Sequence, residues 1–130
     1  MELARRGKYL VLPVSGEHIV AVEDGSTARF SDVAGSTLKI RGETTLRFAS
    51  DPSTVLRTHD PGAHLNQLIG IPIREALAHP RRGELLIFFE DGNELVVEDG
   101  PYENWHYTKV NPDRRRDVLR VHGGVGRTTY

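Results

Sequence analysis

The chain has 130 residues, 17 of them basic and 18 acidic, and no cysteine. That length supports one domain with a core of its own, and the missing cysteines exclude disulfides, thiolate nucleophiles and cysteine-ligated zinc. The nearly cancelled charge gives no global field toward nucleic acid or an anionic membrane, so a cytoplasmic protein without either partner is expected.

Tyr9 to Val14 is the first candidate strand, and its apolar run is far too short for a signal-peptide core or a membrane span. Pro13 near its end points to an edge position, because proline donates nothing to a ladder. His18 to Val22 follows, then a turn at Asp24-Gly25 into Thr27 to Phe30. Ser36 to Ile40 and Thr44 to Phe48 alternate apolar and polar residues, which puts Leu38 with Ile40 on one face and Leu46 with Phe48 on one face.

The middle is punctuated by Asp51-Pro52, Asp60-Pro61 and Gly62, and its periodic part predicts one short helix from about Asp60 to Ile69. Asp60 would cap it, Pro61 would take its first position and Gly70 would end it. Leu65, Leu68 and Ile69 would be its buried stripe. Periodicity leaves Ile71 to His79 open between helix and strand, and the turn Pro80 to Gly83 favours a strand that pairs with the next one.

Gly83 to Trp105 is the plainest stretch. Leu85 to Phe89 and Leu95 to Val97 are strands joined at Asp91-Gly92, a pair suited to the two positive φ values of a type I′ turn. Asp99-Gly100-Pro101 turns the chain into Tyr102 to Thr108, whose aromatics suit a pleated, half-buried surface. Val118 to Val121 is the last predicted strand, after a turn at Asn111-Pro112-Asp113. The fold class is therefore mainly β: an antiparallel meander forming a roll, open barrel or sandwich, with one short helix.

Leu68-Ile69-Gly70, then Gly83, Leu85, Phe89, Asp91 and Gly92, then Tyr102, Glu103 and Trp105, give a pattern G-x-L-x-x-x-F-x-D-G followed by Y-E-x-W. It resembles a family of small uncharacterised bacterial β domains, most specifically between Gly70 and Trp105. It is also similar in outline to some immunity proteins of polymorphic toxins. The resemblance implies a non-enzymatic domain that binds a protein, in its most concrete form a toxin whose active site it blocks. The apolar closing strand of the family pattern is missing after His122, and residues 123–130 are expected to form a flexible tail.

Few residues offer chemistry. Glu90, Asp91, Glu103, Trp105 and the run Arg114, Arg115 and Arg116 are the candidates for partner contact, through an aromatic anchor and charge pairing. Tyr102 and Trp105 read more readily as core aromatics, and Asp113 with Asp117 would neutralise the arginines locally. No serine elbow, triad or phosphate loop stands in the chain, so neither catalysis nor a cofactor or metal is expected. Two other readings stay open: a small-molecule-binding β-barrel, and a small hydrolase using His59, Asp60 and His64. Exposed edge strands would also allow two copies to pair as a homodimer.

Overall fold

The computed structural model describes residues 3–14, 16–23, 27–32, 35–111, 116–124 and 126–129. Among them one sheet holds β1 (Ala4–Arg6), β2 (Tyr9–Leu12), β8 (Ile73–Ala78), β9 (Leu85–Phe89), β10 (Glu94–Val97), β6 (Thr44–Arg47) and β7 (Val55–Thr58), in that spatial order. The other holds β13 (Arg127–Thr129), β12 (Arg116–Gly124), β11 (Glu103–Asn111), β5 (Thr37–Ile40), β4 (Thr27–Ser31) and β3 (His18–Glu23). Every neighbouring pair is antiparallel. Two open sheets sharing one core make a β-rich sandwich or roll, not a closed barrel.

Alternation fills that core. Leu10, Ala78, Leu85 and Val97 make one transverse row of the seven-stranded sheet, and Leu12, Ala76, Ile87, Leu95 and Leu46 make the next; all are buried. Ala28, Phe30, Leu38, Ile40, Trp105, Tyr107 and Val121 answer them from the six-stranded sheet. Phe30 and Phe89 meet across the interior with ring centroids 6.0 Å apart. Burial of this many full side chains, each contributing about 1.5–3 kcal/mol, is the dominant stabilising force.

The segment Ile71 to His79 resolves as strand, with β8 pairing β9. Two predicted turn regions, residues 24–26 and 112–115, lie outside the described residues. The β9–β10 connection differs from the type I′ expectation. Phe89 N donates to Asn93 O at 3.0 Å and Gly92 N to Phe89 O at 2.9 Å, which is a three-residue loop closed by Gly92 at φ +91°. Asn93 Oδ1 accepts from Ala49 N at 2.9 Å and is the tie between this hairpin and the loop after β6. Asn93→Ala leaves the Ala49 N–H unpaired, and urea denaturation should show a loss of about 1–2 kcal/mol.

The predicted helix is a 3-10 helix, Pro61–Gln67, with no side-chain cap from Asp60. Asp60 instead donates its N–H to Thr58 Oγ1 at 2.9 Å. A three-residue period places Pro61 with His64, and Leu65 with Leu68, on the buried side. Ile69, expected in the stripe, falls off that period and is 59% exposed.

The largest correction concerns the end of the chain. Where a flexible tail was expected, Gly123 and Gly124 finish β12 and Arg127–Thr129 form β13, paired His122↔Thr129, Gly123↔Thr128 and Gly124↔Arg127. Thr128 is buried and its hydroxyl lies 2.7 Å from His79 O and 3.1 Å from Arg82 O, tying this strand to the turn before β9. The closing strand is polar and is held by these hydrogen bonds.

Candidate functional site

Each sheet has an outer face, and the two differ in chemistry. On the seven-stranded sheet the residues between the core rows point outward. The register Val11↔Leu77↔Leu86↔Val96 therefore lays four aliphatic side chains side by side across β2, β8, β9 and β10. Phe88 lies beside this row, between Glu75 and Glu94. Val11, Leu86, Phe88 and Val96 are half-buried, and Leu77 among them is buried. Charges rim the row: Arg6 pairs with Glu75, Arg47 Nη1 stands 3.9 Å from Glu94 Oε2, and the Arg74 guanidinium sits 5.8 Å from the Phe88 ring centroid. Glu90 and Asp91 are exposed at the loop ending this hairpin, with Asp91 Oδ1 accepting from Asn93 N at 3.0 Å.

The six-stranded sheet presents a polar face. Thr37, Lys39, His106, Thr108, Arg120 and His122 alternate with buried Leu38, Ile40, Tyr107, Leu119 and Val121 and therefore point outward. Lys39, His106 and His122 are direct partners across three strands, and Thr37, Thr108 and Arg120 form the adjoining row. Glu103 would point inward with Trp105 under strict alternation. A bulge between Glu103 and Trp105 turns it outward instead, while Asn104 is buried with Nδ2 donating to Glu98 O at 2.6 Å. Glu103 then bridges two imidazoles: His106 Nε2 lies 3.0 Å from Oε2 and His122 Nε2 lies 3.3 Å from Oε1. Burial depresses the His106 pKa most; Glu103 opposes that, while His122, Arg41 and Lys39 add to it.

Two half-open depressions mark this face. One of about 250 Å³ is lined by Thr37, Lys39, Arg41, His106 and Thr108. The other, about 370 Å³, lies on the far side of His106, toward Arg120, His122 and Thr129.

Of the expected contact residues, Glu90 and Asp91 adjoin the apolar row, while Glu103 belongs to the opposite sheet. Trp105 is a correction: it is wholly buried, its indole N–H donating to Gly83 O at 2.9 Å, and it can touch no partner. Tyr102, one residue before the bulge, is the exposed aromatic instead, at 77%. Arg114 and Arg115 lie outside the described residues, and Arg116 is described only as the first residue of β12. The apolar row was missed because its members are spread over four strands and each reads as an ordinary alternate. The polar face carried a legible signal, outward residues at 37, 39, 106, 108, 120 and 122.

Of the hydrolase group, Asp60 is close enough to His64 for its charge to act on the ring, but the three side chains differ in burial. His64 is buried, its Nδ1 3.4 Å from Thr44 Oγ1, whereas His59 and Asp60 are exposed. Among the described residues no three His, Asp or Glu side chains are placed to hold a metal ion. Among the described residues no helix is long and apolar enough to cross a membrane.

No family model, curated protein or solved structure matches the chain.

Proposed function

We propose that this is a protein-binding domain whose interaction surface is the outer face of the seven-stranded sheet. One observation carries the reading: half-buried Val11, Leu86 and Val96, with buried Leu77 in register among them, form an aliphatic row on the outer side of a sheet whose other side is already filled. A contiguous apolar patch rimmed by charge is the usual composition of a protein interface, and half-exposed side chains there contribute little until a partner covers them. Arg47, Glu75, Glu94, Glu90 and Asp91 supply the rim, which sets orientation more than affinity. The Gly83 to Trp105 signature supports a specific form of the same function, neutralisation of a toxin by covering its active site.

Leu86→Lys is the direct test, because it puts a charge into the centre of the row without entering the core. Titration calorimetry against the protein products of the genes beside its own should show binding by the native chain and a loss of at least tenfold in the variant. Equal affinity of the two for a partner that binds would remove this face from the interface. A concentration-dependent dimer on sedimentation, abolished by Leu86→Lys, would identify the partner as a second copy.

A further inference from the structure

On the opposite sheet, we propose that the depression between β5 and β11 is a binding site for a tetrahedral oxyanion, a phosphoryl or sulfuryl group. Its frame follows from the register Thr37↔Thr108 and Lys39↔His106. Adjacent strands stand about 4.8 Å apart and outward neighbours along a strand about 7 Å apart, so these four side chains outline a seat of anion size. Arg41 closes the seat at the next outward position of the same run.

Charge points the same way. Among the described residues no carboxylate is in ion-pair range of Lys39 or Arg41. Glu103, the nearest acid of this face to His106, has each oxygen engaged by one imidazole and leaves the two cations unneutralised. The donors present are the ammonium of Lys39, the guanidinium fork of Arg41 and the hydroxyl of Thr108, a set that matches several oxygens at once. The Thr37 hydroxyl donates to Gly35 O at 3.1 Å and walls the site. No Phe, Tyr or Trp lines this depression, so the recognised feature is the anion itself.

His106 gives the site a signature. Its Nε2 is turned to Glu103, and Lys39, Arg41, Arg120 and His122 all face the ring, with Arg29 next beyond Lys39 in the row. Burial first, then His122, Arg41 and Lys39, disfavour a proton on the ring and Glu103 favours one; an anion seated beside Lys39 and Arg41 favours it further. Anion binding is therefore coupled to proton uptake by His106, and affinity rises as pH falls.

Sulfate tests this, since its charge is constant between pH 6 and 8. Imidazole and amide signals of the full chain are followed by NMR as sulfate is added. The expected result is saturable, millimolar binding centred on His106 and Thr108, several-fold tighter at about pH 6 than at about pH 8. Lys39→Ala with Arg41→Ala should weaken it at least tenfold, and His106→Gln should flatten its pH dependence while keeping binding. Arg81→Ala, in a separate basic depression with Arg5 and Lys8, should leave it unchanged. Non-saturating shifts, or equal losses from Arg81→Ala and from the double variant, would overturn the site. Phosphoserine gaining tenfold over inorganic phosphate would place the phosphoryl on a larger molecule; equal affinity would make the ligand a free anion. Leu86→Lys should bind sulfate normally, which separates failure here from failure of the protein interface.

Discussion

Gly83→Ala is expected to cost about 3 kcal/mol or more. A Cβ at Gly83 would overlap the N and Cα of Gly124 and the Oδ1 of Asp99. Two of those atoms are backbone and cannot swing aside. The same junction constrains its other members: a Cβ on Gly124, at φ +130°, would overlap Tyr102 O, and one on Gly123 would overlap the indole of Trp105. Three glycines therefore let the chain ahead of β9, the end of β12 and the Trp105 ring occupy one place, with the indole N–H on Gly83 O recording how close they come.

Trp105 is the only tryptophan, so its emission reports this junction directly. The native protein should emit at short wavelength and shift red in a single urea transition, which Gly83→Ala should move to markedly lower urea. Trp105→Phe, followed by circular dichroism, keeps most of the packing and loses one hydrogen bond and some volume. It should therefore cost about 1–3 kcal/mol, less than the glycine change. Gly83→Ala with unaltered stability and emission would show that the two backbones do not touch.

The sequence revealed elements in proportion to how much of each is buried. β2, β5, β6, β9 and β10 have an inward face and alternate, so period two showed them. β1, β7 and β13 did not, with exposure running along all of β1, through most of β7 and on either side of Thr128 in β13. These three are edge strands, specified by their neighbours and not by a pattern of their own. The glycine-rich end misled for a related reason. Glycines that permit close approach and glycines that loosen a tail are the same letters, and only the position of Trp105 opposite Gly123 separates them. The candidate surfaces were legible in part: Glu90 and Asp91 were visible as a charged turn, whereas the aliphatic row exists only once four strands are in register.

Glu17 carries the largest expected dependence on pH. Its carboxyl is buried and neither oxygen has a hydrogen-bond partner, though the backbone around it is well held, with Gly16 N and Ile73 N bonded to Ile73 O and Glu17 O. The neighbouring Tyr107 hydroxyl donates to Pro13 O at 2.9 Å. Burial is the main force on the carboxyl and Asp32 adds to it; Lys109 opposes it, as does the nearby Tyr107 hydroxyl, whose one proton goes to Pro13 O, and the pKa is pushed up to about 8 from 4.5. Between those values the folded chain holds a proton that the unfolded chain has released, so raising the pH favours unfolding. Below 4.5 both states are protonated and the stability is fully present; above about 8 both are ionised and the loss is complete. At about 1.4 kcal/mol per pH unit, the full loss is about 3–5 kcal/mol. Glu17→Gln keeps the shape and removes the proton. Urea titrations at about pH 5 and pH 8 should show the native chain losing several kcal/mol more than the variant over that interval. Other titrating groups, including His64, which burial holds below its ordinary pKa, are common to both proteins and cancel in the difference. Parallel stability curves for the two would mean that Glu17 reaches water or a hydrogen-bond donor and is ionised in the fold.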